Sequence, residues 1–183
     1  MKEQCIFAGF GGQGVLMIGK MVALSGMENN MEVSWLPAYG SEMRGGTATC
    51  SVNVSDSEID SPMILSPTTL IVMNLPSLLK FESGVLPGGR MIINSSLVDQ
   101  EPTRTDIEIY KVPFNDLATE AGNERGMNML VAGVYAAISG VVSLDNLYDA
   151  IDHAFEGAKA KFIPGNKAMA KLGYEYGIEH FGK

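Results

Sequence analysis

Thiols are scarce in this chain of 183 residues: Cys5 and Cys50 are its only cysteines, and His153 and His180 its only histidines. An iron–sulfur cluster takes about four thiolate ligands, so this chain alone cannot hold one. A zinc site would need all four of these side chains to converge, and no close pair of the Cys-x-x-Cys kind starts one. Each cysteine therefore reads as a small buried hydrophobe in a strand. Positive charge is also short, with 13 Lys and Arg against 21 Asp and Glu and a net charge of −8. Nucleic acid and anionic membranes both reward a basic surface, so neither is expected as a partner. Charged residues of both signs amount to 19%, below the ~25% usual in soluble domains, which hints at large contacts with other chains. Long apolar runs are missing too. The longest, Met127 to Ile138, holds Asn128 and Gly133 and falls short of the ~20 residues that span a bilayer. Met1-Lys2-Glu3-Gln4 leads straight into the first strand without a leader, and the expectation is a cytoplasmic protein.

What the chain does have is hydrophobic residues, 46% of the total, and 21 glycines. The glycines gather in two places. The first is Gly9-Phe10-Gly11-Gly12-Gln13-Gly14, between the apolar run Cys5–Ala8 and a helical pattern reaching about Met27. Strand, glycine turn and helix form a common opening for an α/β domain that cradles phosphate at a helix N-terminus. A tight turn with close helix–sheet packing needs the same glycines. A dinucleotide site also needs an acid at the end of the second strand, and that strand, Glu32 to Leu36, ends without one before Pro37, which is expected to stop it. A Walker loop is excluded because no Gly-Lys-Ser/Thr follows.

The second cluster is Tyr39-Gly40-Ser41-Glu42-Met43-Arg44-Gly45-Gly46. In an extended segment Glu42 and Arg44 point the same way; the pair suits either a shaped anion site or a solvated surface ion pair. After it, Thr47 to Val54 alternates: Ala48, Cys50, Val52 and Val54 on one face, Thr47, Thr49, Ser51 and Asn53 on the other. That pattern predicts a half-buried strand, at an edge, antiparallel, or packed on a wet partner surface. Strands are expected at Thr69–Met73, Arg90–Asn94 and Asp106–Val112, and helices at Ser77–Phe81, Phe114–Ala121, Met127–Ser139, Ser143–Phe155 and Asn166–Phe181. Asn94-Ser95-Ser96 suits either a ligand crevice at the carboxyl end of the sheet or a cap; Asn128 is expected to be structural, and the two histidines receive no catalytic role. No Ser/His/Asp or Cys/His arrangement is visible. The order of elements predicts an α/β fold: a three-layer, Rossmann-like domain over residues 1–183, with a mixed, partly parallel sheet and a helical C-terminal part.

Taken together, the two glycine loops resemble the gamma subunit of 2-oxoacid:ferredoxin oxidoreductases. The resemblance continues through Ile59-Asp60-Ser61-Pro62, Leu86-Pro87-Gly88-Gly89 and Asn94-Ser95 to Asn166-Lys167-Ala168-Met169. It implies a subunit of an enzyme that converts a 2-oxoacid and coenzyme A to acyl-CoA and CO2 while reducing ferredoxin. Thiamine diphosphate and iron–sulfur clusters would sit on partner subunits, alpha and beta, with delta a further candidate, and ferredoxin would be met through those partners. No cofactor would be held by this chain alone, and it would be inactive by itself. On this reading Gly11, Gly12, Gln13, Gly14, Arg44, Gly45, Gly46 and Thr47 help form the coenzyme A side of the site, with backbone amides of Gly11–Gly14 meeting an oxyanion and Arg44 as the charged contact. A purely structural subunit that binds no ligand and a stand-alone nucleotide-binding enzyme are the rival readings.

Overall fold

A computed structural model describes residues 2–40 and 46–182. Among these residues six strands form one mixed sheet: β1 (Lys2–Phe10), β2 (Glu32–Tyr39), β3 (Thr47–Ser55), β4 (Thr69–Val72), β5 (Arg90–Asn94) and β6 (Glu108–Val112), in the order β2-β3-β1-β4-β5-β6. β1, β4, β5 and β6 run parallel, whereas β3 lies antiparallel to both β1 and β2. The antiparallel expectation for Thr47–Val54 therefore holds, but the strand is internal; β2 is the edge. This also explains why Pro37 does not end β2, which continues to Tyr39. A proline lacks a backbone N–H, and an edge strand tolerates that loss where the missing group would face solvent.

The chain makes α1 (Val15–Glu28), α2 (Leu75–Phe81), α3 (Phe114–Glu120), α4 (Met127–Ser139), α5 (Leu144–Ala154) and α6 (Ile163–Phe181). The main core lies on one sheet face, where Phe7, Cys50, Val52 and Ile71 meet α1, α4, α5 and α6. α4 is buried along nearly all of its length, as an all-round apolar helix must be. It crosses α6 almost backbone on backbone. A Cβ on Gly173 would stand 2.0 Å from the Leu130 carbonyl oxygen, and one on Gly133 2.1 Å from that of Ala170. The opposite face has a thinner layer: Ile6, Ala8, Leu70, Val72, Met91 and Ile93 are covered by Leu78 of α2 with Ile64 and Val98. Both cysteines are fully buried, as expected of small hydrophobes.

Several boundaries move for local reasons. α2 starts at Leu75 rather than Ser77, because the Asn74 side chain accepts the Ser77 N–H (2.9 Å) and caps it. α6 begins three residues early with a proline in its first turn, where the absent N–H costs nothing. Asn94 is fully buried: its Nδ2 donates to Asn115 Oδ1 (2.8 Å), and its Oδ1 accepts the Ser96 N–H (3.3 Å). Ser96 Oγ in turn accepts the Asp116 N–H (3.2 Å). That segment therefore caps α3.

Candidate functional site

β1 delivers the first glycine loop to the carboxyl end of the parallel strands, the usual location of ligand crevices in such sheets. Gly11–Gln13 form one turn of 3-10 helix, Gly14 adopts the left-handed conformation (φ 73°), and α1 follows. Gln13 ties this turn down. Its Oε1 accepts the Phe10 N–H (2.7 Å) and the Asn74 side-chain amide (3.1 Å), while its Nε2 donates to the Met73 carbonyl (2.9 Å). The loop is thereby fixed to the end of β4 and the cap of α2. The Gln13 side chain therefore points inward and works as an anchor.

The glycines of this loop divide into two kinds. A Cβ on Gly9 would meet Gln13 Oε1 at 2.7 Å and Met73 and Val15 at 2.9 Å; one on Gly14 would meet Asn128 at 3.1 Å in a backbone conformation that already favours glycine. Those two positions are required by packing. Gly11 and Gly12 are exposed and have nothing within 4 Å of where a Cβ would be. Their lack of a side chain leaves open room outside the protein.

The two glycine clusters meet here. The Gly11 N–H donates to the Gly46 carbonyl at 3.3 Å, and Thr47 stands opposite Phe10 in the β1–β3 ladder. On the β2 side the Gly40 N–H donates to the Thr47 carbonyl (2.7 Å). Gly11, Gly12, Gln13, Gly14, Gly46 and Thr47 thus lie along one seam. Arg44 and Gly45, together with Ser41, Glu42 and Met43, lie outside the described residues.

Beside the seam is a run of shallow cavities. One, of about 370 Å³, is lined by Gly12, Gln13 and Gly14 and by Glu124, Arg125, Met127 and Asn128. A neighbouring one of about 420 Å³ includes Met17, Arg125, Phe155, Lys161 and Phe162 among its walls. Arg125 belongs to both. Lys161 lies 5.2 Å over the Phe162 ring. Arg125 and Lys161 are missed by the sequence reading because they sit 36 residues apart in short 3-10 turns, at Glu124–Gly126 and Gly157–Phe162, which carry no periodic signal. Asn128 offers its Oδ1 to the Met129 N–H (3.0 Å) and packs on Gly14, which fits a structural role at the cavity wall. His153 pairs with Glu28 (2.7 Å), and His180 stacks on Tyr176; neither lines the two cavities.

The thiols take no part. Burial is the main cause that holds Cys5 well above its ordinary pKa, with the Glu3 carboxylate adding to it; burial likewise pushes Cys50 up to about 12. Two thiols fall short of the about four that an iron–sulfur cluster takes. Among the described residues no helix is long and apolar enough to cross a membrane.

Comparison with known proteins adds the family. The family model described as pyruvate ferredoxin/flavodoxin oxidoreductase matches residues 4–176. The ketoisovalerate oxidoreductase subunit VorA of Methanothermobacter marburgensis is 36% identical over 92% of this chain, which covers 35% of that relative. The chain thus spans about a third of the length of that relative. Among solved structures, the gamma subunit of a keto/oxoacid ferredoxin oxidoreductase from Geobacter sulfurreducens superposes with a TM-score of 0.81 at 22% identity, covering 97% of this chain and 99% of that one. A 2-oxoglutarate:ferredoxin oxidoreductase from Magnetococcus marinus, solved with 2-oxoglutarate, coenzyme A and succinyl-CoA bound, also gives 0.81, at 19% identity, over 96% of this chain and 31% of that one. At those identities the two structures establish a shared α/β fold.

Proposed function

This chain belongs to the pyruvate ferredoxin/flavodoxin oxidoreductase family, and from that premise we propose that it is the gamma subunit of a cytoplasmic 2-oxoacid:ferredoxin oxidoreductase, a single gamma domain over residues 1–183. Alpha and beta subunits, and a delta subunit where one exists, would hold the thiamine diphosphate on which decarboxylation occurs and the iron–sulfur clusters that lead electrons to ferredoxin. The donor set of this chain supports that division, since its thiols are two and buried. The relatives' names cover both ketoisovalerate and 2-oxoglutarate, so the reading is for a 2-oxoacid oxidoreductase without a choice of acid.

Within that enzyme the chain would shape the coenzyme A side of the active site. The observation that carries this reading is the seam: two glycine loops joined through Gly11 and Gly46, with Gly12 open to the outside beside it. Coenzyme A is a polyanion, and backbone amides near the start of a helix suit an oxyanion. Because the Gly11 N–H is engaged with Gly46, the amides of Gly12, Gln13 and Gly14 would meet the oxyanion, with Arg44 as the charged contact and Gly45, Gly46 and Thr47 as the remaining residues of the site. In the reconstituted complex, Gly12→Ala and Arg44→Ala are each expected to raise the KM for coenzyme A about tenfold, or ~1.4 kcal/mol, with the KM for the oxoacid unchanged. An unchanged coenzyme A KM in Arg44→Ala removes Arg44 from the proposal.

The structural-subunit reading has its own observation. Gly9, Gln13 and Gly14 are all accounted for by internal packing and hydrogen bonds. If both variants leave coenzyme A kinetics untouched, that reading takes over.

A further inference from the structure

The second face of the sheet is covered only in part. Over β1, β4 and β5 it carries α2 and the residues that pack with it. Where β3 and β2 continue that face, Leu36 and Ala38 are exposed. Asn53, at the far end, is closed off: its Nδ2 donates to Ser34 Oγ (2.8 Å) and to the Pro62 carbonyl (3.3 Å), and its Oδ1 accepts from Gln4 Nε2 (3.0 Å). Toward the glycine seam the cover stops. Cross-strand partners share a face, so the register places Phe10, Thr47, Thr49, Ser51, Leu36 and Ala38 side by side.

Two properties of this quadrant stand out. None of these six described residues is charged, in a protein of net charge −8. Its three hydroxyls, on Thr47, Thr49 and Ser51, are half-buried. Thus an apolar strip of Leu36 (40% exposed), Ala38 and Phe10 (37% exposed) flanks a row of groups that can each donate and accept a hydrogen bond.

We propose that this quadrant of β1, β3 and β2 is the docking surface for the polypeptide that corresponds to the remaining two-thirds of those longer relatives. The inference rests on the oxidoreductase-subunit reading. In the ketoisovalerate relative the matching segment is 35% of one polypeptide, and in the 2-oxoglutarate enzyme 31%; the rest of each chain is covalently bound to this fold and must pack near it. The partner's matching surface is uncharged, with apolar side chains set between amide or hydroxyl groups. Size sharpens the inference. Five residues of β3 across three strands make a face of about 17 Å by 15 Å, roughly 250 Å², against ~800 Å² per side for a standard interface. The partner must therefore spill over the rim, where the edge strand β2 ends the sheet on one side and Gly11 and Gly12 are exposed on the other. A chain seated here closes over the glycine seam, so the seam is completed only on assembly.

The test uses the purified complex and three variants of the full chain. Thr49→Arg places a long cation in the middle of the quadrant; Leu79→Arg, on exposed α2, is the control. The expected result is at least a hundredfold weaker assembly of Thr49→Arg with the partner subunits, unchanged assembly of Leu79→Arg, and unchanged melting of both isolated chains. Normal assembly of a folded Thr49→Arg overturns the docking surface and leaves the subunit reading intact. Failure of the unaltered chain to assemble with any partner subunit overturns the subunit reading and the surface with it. Should Thr49→Arg not fold, Ala38→Cys carrying a photo-crosslinker in the intact complex decides: a link to the larger partner chain supports the proposal, and a link to a second copy of this chain, or none, overturns it.

Discussion

Gly173 and Gly12 look alike in the sequence, yet they sit in opposite surroundings. At the α4–α6 crossing, glycine is required by what lies inside: the Leu130 carbonyl would be 2.0 Å from any Cβ. In the loop after β1, a Cβ on Gly12 would meet nothing within 4 Å among the described residues. A glycine demanded by packing tells about the fold, whereas one whose missing side chain would meet nothing leaves room for something outside the molecule. Gly9 and Gly14 belong to the first kind although they share a motif with the second.

Substitutions break or sharpen this comparison. Gly173→Ala should have the largest effect, a loss of about 3 kcal/mol or more from overpacking against backbone, read as a lower midpoint in urea unfolding. If Gly12→Ala cost as much, the distinction would collapse. Gln13→Ala comes next. It strands the Phe10 N–H and the Met73 carbonyl and should cost about 2 kcal/mol, and it should loosen the loop enough to raise amide exchange at Phe10. Gly14→Ala forces a side chain into the left-handed region beside Asn128 and should cost about 1–2 kcal/mol; Gly12→Ala should stay within about 0.5 kcal/mol.

The smallest effect concerns Cys50, whose sulfur lies 2.3 Å from where a Cβ on Gly19 would be. Its pKa in the folded chain is about 12, raised chiefly by burial from an ordinary value of 9.0. Between those values the folded state keeps a proton that the unfolded chain has released. The contribution of this thiol to stability is therefore full below about pH 9 and is lost as pH rises toward 12. Cys50→Ala should make that alkaline decline shallower, as measured by melting temperature against pH, and both thiols of the unaltered chain should resist thiol reagents at pH 8.

The sequence made the framework legible wherever local patterns agree with tertiary demands. Arg90–Asn94 and Met127–Ser139 fall where apolar runs place them, because a strand covered on both faces and a buried helix each need an uninterrupted apolar stretch. β3 alternates visibly and is antiparallel, but its neighbours could not be read from it; β2 supplies the edge, and Pro37 was misleading because an edge strand forgives it. Of the candidate site, the two glycine clusters were visible, and their meeting through Gly11 and Gly46 is a matter of register that only the folded sheet specifies. Arg125 and Lys161 were invisible, since short 3-10 turns have no repeat and the two cavities they line arise from segments distant in the chain.

The hydrogen bond from Gly11 to Gly46 also makes a built-in reporter. At 3.3 Å it is long and lies at an exposed rim, so it should break in small local fluctuations well below the energy of global unfolding. The Gly11 amide proton then serves as a clock for the seam. In the isolated chain it should exchange with solvent quickly. Anything that clamps the two loops together, whether a bound anion or a neighbouring subunit, should slow it before it alters any other proton of the loop.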